Sequence, residues 1–310
     1  MERIDVGIDV SKDRLDVHVR PTDEAFTVSY DEAGLAELMA QLQRLQPTLV
    51  TLEATGGYHA LVAGAVAHAG VPVAVVNPRQ IRDFARASGQ LAKTDTLDAR
   101  IIARFSEMVQ PAARPLLSEQ AQALADLVAR RRQLVDMLAA EMNRHRQARH
   151  RALQKRIDVH VTWLRRALED IDAEIRRLIR ASPVWREQED LLTSAPGIGD
   201  ITAHALIADL PELGQLDRRR IAALVGIAPL NRDSGFTRGR RMIGGGRPTV
   251  RRALYMAPLV AIRYNPAIAT FYRRLTTTGR PKKVAIIAAM RKLIIMLNAM
   301  LRDHRPWQPA

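Results

Sequence analysis

Ile4, Val6, Ile8 and Val10 alternate with Asp5, Gly7, Asp9 and Ser11 at the start of this chain. A period of two over eight residues is the pattern of a strand with one buried face. A second alternating run, Leu15, Val17 and Val19, follows after Lys12 and Asp13, and Phe26 to Tyr30 offers a third short strand. The runs predict three meandering strands.

A helical stretch begins at Asp31, followed by the apolar strand Leu49 to Leu52, a helix through Leu61 and Val66, and the apolar strand Val71 to Val76. The clearest of the helices after that runs from Thr94 to Met108. Three antiparallel strands, then strands alternating with helices, is the element order of an α/β RNase H-like domain; a flavodoxin-like domain is the competing reading.

From Ile157 the apolar positions Val161, Leu164, Leu168, Ile171, Ile175 and Leu178 recur at alternating steps of four and three. That spacing is a coiled-coil seam, and Leu124, Leu127, Leu134 and Leu138 give a weaker version upstream. Two long helices therefore form an arm, which buries its stripe either in self-association or in an intramolecular hairpin. Beyond Pro183 helices are expected at Ile201–Leu210, Arg218–Val225, Val250–Ile262 and Lys283–Leu301, with a Gly- and Arg-rich loop between Pro229 and Pro248. The domain division is residues 1–110, 111–185 and 186–310, the last mainly α-helical.

The chain carries 47 Lys+Arg against 33 Asp+Glu, a net +14, which points to a polyanionic partner. Counted by thirds, residues 1–110 carry −4, residues 111–190 carry +4 and residues 191–310 carry +14. Phosphate affinity is thus expected in the last third, with surplus carboxylates in the first. Cysteine is absent, which excludes disulfide scaffolds, thiol catalysis and Cys-ligated zinc and fits a reducing cytoplasm. The start has no apolar signal-peptide core, and the most apolar tract, Val284 to Leu301, is interrupted by Arg291 and Lys292, so neither export nor a membrane partner is expected.

Four carboxylates attract attention. Asp9 ends the first strand, and Glu53 ends the apolar strand from Leu49, just before Gly56-Gly57. Asp95 and Asp98, three apart after the N-cap candidate Thr94, project from one side of a helix's first turn. Converging, they would offer the oxygen donors that hard divalent cations need for phosphoryl transfer. Each also has a plainer reading as a helix-dipole partner, a turn cap or an arginine partner, and Asp5, on the same strand face as Asp9, is an alternative that spacing does not remove.

In the last third, Asn231-Arg232-Asp233-Ser234-Gly235-Phe236-Thr237-Arg238-Gly239-Arg240-Arg241 sets a serine among four arginines. Ser234 is a candidate nucleophile, because a phosphoserine ester would keep the phosphodiester bond energy for strand exchange. Asp-Ser-Gly is also a common turn. Arg232, Arg238, Arg240 and Arg241 are candidate phosphate contacts. So are Gly197 and Gly199 of Pro196-Gly197-Ile198-Gly199, which looks like a helix-hairpin-helix turn, and Arg247, Arg251 and Arg252 after Gly244-Gly245-Gly246.

Several runs together resemble, nearly end to end, the IS110 family of insertion-sequence transposases: Gly7-Ile8-Asp9-Val10-Ser11-Lys12, Glu53-Ala54-Thr55-Gly56, Lys93-Thr94-Asp95-Thr96-Leu97-Asp98-Ala99-Arg100, Pro196-Gly197-Ile198-Gly199 and Arg251-Arg252-Ala253-Leu254-Tyr255-Met256. The resemblance implies a RuvC-like N-terminal domain whose acids Asp9, Glu53, Asp95 and Asp98 form a DEDD site with Mg2+ (or Mn2+). It implies Ser234 as the nucleophile of a C-terminal transposase domain, a coiled-coil arm, and homodimers paired into homotetramers. Donor and target DNA would be chosen by a structured noncoding bridge RNA, in a bacterial cytoplasm at the nucleoid. Two alternatives stay open: a RuvC-like junction endonuclease using activated water, and a non-catalytic nucleic-acid-binding scaffold.

Overall fold

The computed structural model describes residues 3–54, 58–90, 95–113, 118–231, 233–234, 237–239 and 241–308, with backbone alone for 95–97, 233, 237 and 238. The chain forms two compact units, Met1–Leu117 and Ser118–Ala310.

In the first unit the strands are β1 (Asp5–Val10), β2 (Arg14–Arg20), β3 (Ala25–Ser29), β4 (Leu49–Glu53) and β5 (Val73–Val76). The helices are α1 (Glu32–Leu45), α2 (His59–His68), α3 (Pro78–Ala87) and α4 (Asp95–Val109). The sheet order is β3-β2-β1-β4-β5, with the first three strands antiparallel and β4 and β5 parallel to β1. This is the RNase H-like arrangement, and the antiparallel meander excludes the flavodoxin-like one.

Alternation divides the sheet into two chemically different faces. Val6, Ile8 and Val10 of β1 join Leu15, Val17, Val50 and Leu52 in one core with Leu38 and Leu42 of α1 and Val62 and Val66 of α2. Asp5 and Gly7 look the other way, onto α4. A Cβ on Gly7 would sit 2.2 Å from the Ala103 nitrogen and 2.6 Å from the Ala99 oxygen, so only glycine lets α4 lie this close to β1. Asp31 caps α1, accepting from the Gly34 N–H, and that bond holds its carboxyl below the usual range.

The second unit begins with α5 (Glu119–Gln147) and α6 (Arg151–Ala181), which pack against each other as an intramolecular hairpin. Val161, Leu164 and Ile175 of the seam are buried, and Arg131 of α5 grips Asp172 of α6 through two bonds of 2.6 and 3.2 Å. Next come α7 (Pro183–Thr193), α8 (Asp200–Asp209), α9 (Arg218–Val225), α10 (Pro248–Leu254), α11 (Ala257–Tyr264), α12 (Pro266–Thr277) and α13 (Lys282–Arg302). α13 has the length and apolar content of a membrane-crossing helix, yet Ala289, Leu293, Ile294 and Leu297 are the fully buried centre of this core. Asn298, buried on the same helix, accepts from the Gly214 N–H at 2.9 Å and donates to the Leu216 carbonyl at 2.8 Å.

Two expectations change. The single helix expected over Val250–Ile262 is two, α10 and α11, because Pro258 has no N–H and its ring would collide with the Leu254 carbonyl four residues back. The expected loop between Pro229 and Pro248 contains four short strands: β6 (Pro229–Leu230), β7 (Asp233–Ser234), β8 (Thr237–Arg238) and β9 (Met242–Ile243). β6 pairs with β9 and β7 with β8, both antiparallel. The two ladders are separate two-stranded sheets on one excursion of the chain, the ribbon, between α9 and α10.

Candidate active-site residues and nucleic-acid interface

α4 runs antiparallel to β1, with Ser106 beside Asp5 and Ala103 and Ala99 beside Gly7. One turn of helix beyond Ala99 rises about 5.4 Å, and two residues of strand beyond Gly7 rise about 6.6 Å. The first turn of α4, which starts at Asp95 and includes Asp98, is therefore level with Asp9. Glu53 arrives from the neighbouring strand. β4 is in parallel register with β1, Leu52 opposite Ile8, and Thr51 faces α4 by donating to Ser106 Oγ at 2.9 Å. Glu53, two residues on, shares that face at the level of Asp9. Asp9, Glu53 and Asp98 are all half-buried; the Asp95 side chain lies outside the described residues.

Asp5 separates itself from this group. It is 1% exposed and takes bonds of 2.6 and 3.0 Å from Arg3 and one of 2.7 Å from Ser106 Oγ, the last tying α4 to the sheet. A fifth carboxylate escaped the sequence reading. Asp16 lies directly across from Asp9 in the antiparallel ladder, hence on the same face, and is 4% exposed. Thr27 Oγ1 donates to it at 2.7 Å and Arg14 Nε at 3.1 Å. Its signal was available: in the alternation of β2, Asp16 is the polar residue between two buried apolar ones.

Paired carboxylates at strand ends are hard oxygen donors and suit a divalent cation such as Mg2+. Among the described residues no three acidic or histidine side chains already stand at ligating distance.

In the second unit Ser234 ends β7, pairs with Thr237 and is exposed; Gly235 and Phe236 between them lie outside the described residues. Arg232 and Arg240 also lie outside them, as does the side chain of Arg238, while Arg241 is exposed. A largely apolar cleft of about 290 Å³ opens between α5, α8 and α10, lined by Val128, Val135, Ile175, Ile201 and Met256 among others. Ser234 does not line it.

The other candidate phosphate contacts divide by what already holds them. Arg247 gives two bonds of 2.6 Å to Glu212 and one of 2.8 Å to the Asp209 carbonyl. Asp209 also pairs with Arg132 of α5, though burial, the dominant influence, raises its carboxyl above the usual range. Arg251 is spent on backbone carbonyls at the foot of the ribbon. Arg252 meets Asp136 at 3.2 Å but is 72% exposed, and remains open to a second anion. Gly197, at φ +109°, packs where a Cβ would lie 2.8 Å from Ala261, whereas Gly199 caps α8 in open space.

Residues 6–151 match the DEDD_Tnp_IS110 transposase family and residues 189–273 match Transposase_20, the transposase IS116/IS110/IS902 family. The chain is 29% identical over 318 residues to the pilin gene-inverting protein of Moraxella bovis, covering 99% of this chain and 98% of that one. It is 32% identical over 164 residues, 50% of this chain and 39% of the other, to the insertion element IS900 uncharacterized 42 kDa protein of Mycobacterium paratuberculosis. The RuvC structure of Thermus thermophilus aligns with 36% of this chain and 99% of its own, at 18% identity and a TM-score of 0.26. Two family matches in the expected order, the first covering the first unit and running on through α5, the second within the second unit, carry the conclusion: the chain belongs to the IS110 family of transposases, enzymes of DNA strand transfer, with a DEDD domain of RNase H-like topology followed by a mainly helical Transposase_20 domain.

Proposed function

We propose that this transposase exchanges DNA strands through a covalent phosphoserine intermediate on Ser234, assisted by Asp9, Glu53, Asp95 and Asp98. The observation that carries the acidic half is the common level of Asp9, Glu53 and the first turn of α4 at one end of the sheet. The serine half is supported by an exposed hydroxyl on a ribbon rich in arginine. Ser234 Oγ attacks phosphorus and gives its proton to a nearby base or water, while one bridging P–O bond breaks and the deoxyribose oxygen takes up a proton to leave as the free hydroxyl of the cut strand. Reversal on a second DNA end restores the serine and joins the strands without an external energy source.

The carboxylates would hold Mg2+ (or Mn2+), whose charge, when bound, stabilises the phosphate as negative charge builds on it. Arg232, Arg238, Arg240, Arg241 and Arg252, with the hairpin of Gly197 and Gly199, grip backbone phosphate, and the +14 of residues 191–310 suits RNA as well as DNA. A structured noncoding bridge RNA supplies the choice of donor and target. The name of the pilin gene-inverting relatives supports conservative exchange, since inversion rejoins every strand it cuts. The arms associate chains into homodimers and homotetramers, which work at the nucleoid in the cytoplasm.

The test is strand exchange with purified protein, its flanking noncoding RNA, Mg2+ and both DNAs. Asp9→Asn and Ser234→Ala should each abolish exchange with DNA binding intact. Cleavage by Ser234→Ala would instead favour the activated-water nuclease, and activity in both variants would favour a scaffold.

A further inference from the structure

The ribbon that carries Ser234 leaves the helical core at a crossing of three glycines. Gly226 ends α9 at φ +77°, and a Cβ there would lie 2.2 Å from the Gly245 oxygen. Gly246, at φ +60°, comes so near that its Cβ would lie 2.4 Å from the Gly226 nitrogen and 2.5 Å from the Leu224 oxygen. The two backbones touch, and one side chain fastens them. Arg251 Nη1 donates to the Gly245 carbonyl at 2.8 Å and to the Val225 carbonyl at 3.2 Å, with the Gly226 carbonyl at 3.4 Å. It is also the group that a Cβ on Gly226 would strike, at 2.2 Å.

We propose that Arg251 is a positioning residue for strand transfer: its guanidinium clamps the foot of the ribbon and so fixes where Ser234 presents its hydroxyl. This rests on the reading of Ser234 as nucleophile. Two features make the clamp specific. The acceptors Val225 and Gly226 lie at the C-terminus of α9, where carbonyls lack intrahelical partners and the dipole favours a cation. The acceptor Gly245 lies two residues after Ile243, the last residue of β9, so little chain separates the clamp from the ribbon's returning strand. One nitrogen, Nη1, meets carbonyls on both segments, so loss of the guanidinium frees both at once.

The sequence alone suggested that Arg251 binds phosphate, and the two roles give opposite results. The chain has no cysteine, so Met242→Cys, an exposed site on β9, takes a single spin label on the full-length protein. In that background Arg251→Ala should raise label mobility and slow formation of the Ser234–DNA adduct about 100-fold at saturating DNA. DNA affinity and its salt dependence should stay as in the parent. Gly245→Ala, whose added Cβ meets open space but sits at φ +67°, is the milder variant and should move both readouts the same way. An unchanged label overturns the clamp. So does weaker DNA binding with the salt slope reduced by about one, which would assign Arg251 to phosphate. If the parent forms no adduct, the reading of Ser234 fails; label mobility still decides whether Arg251 holds the ribbon.

Discussion

Ser106 Oγ donates a 2.7 Å hydrogen bond to Asp5 Oδ1, and that bond distinguishes two aspartates four residues apart on one strand face. Asp5 fixes α4 to the sheet, and Asp9 stands where the first turn of α4 and the end of β4 arrive together. Asp5→Ala leaves Ser106 and Arg3 without their acceptor and should cost about 2 kcal/mol in a urea melt. Asp9→Asn should change the same melt by less than about 1 kcal/mol while abolishing strand cleavage.

Gly7→Ala tests the close approach of α4. The added methyl meets helix backbone at 2.2 Å, which cannot rotate away as a side chain would. The expected loss is at least about 2 kcal/mol, with strand transfer falling as Asp98 is carried away from Asp9. Stability and activity near the parent's would show that α4 does not set the level of the site.

His18 supplies a pH dependence. It is 5% exposed, and burial, more than the neighbouring Arg100 and Arg20, lowers its pKa; Asp23, 3.5 Å from Nε2, acts in the opposite sense. The folded state disfavours the proton that the unfolded chain accepts near pH 6.5, so stability present above that pH is lost as pH falls through the folded pKa. Thermal melts between pH 8 and pH 5 should show the decline, and His18→Gln should flatten it.

Much of the first unit is legible in sequence: alternation reports the buried face of the three antiparallel strands, short apolar runs mark β4 and β5, and the N-cap candidate Thr94 marks the start of α4. Alternation does not report depth of engagement, so Asp5 and Asp9 look alike until Ser106, a hundred residues away, is placed. The break between α10 and α11 was written in Pro258 but hidden in a continuous apolar run. The ribbon was obscured because its strands are two residues long and set among glycine and arginine. The arginines were legible as cations only: that Arg247 answers Glu212 and Arg251 answers a helix end depends on acceptors brought near by folding.

The arm offers a test of self-association. Val159 and Trp163, four residues apart on α6 and outside its buried seam, are 72% and 54% exposed. Trp163→Glu should shift sedimentation velocity profiles toward the monomer and leave the helical content unchanged. Identical profiles would place any dimer contact elsewhere.

The central claim is a covalent bond between Ser234 and DNA. Arg232 and Arg238 bracket the serine, so trypsin releases it in a peptide spanning residues 233–238. Digestion of a denatured reaction containing Mg2+, RNA and both DNAs, followed by nuclease treatment and mass spectrometry, should find that peptide carrying a nucleotide on Ser234, and should find none with Asp9→Asn. Products of strand exchange accompanied by an unmodified 233–238 peptide, or by a nucleotide on another residue, would contradict the account.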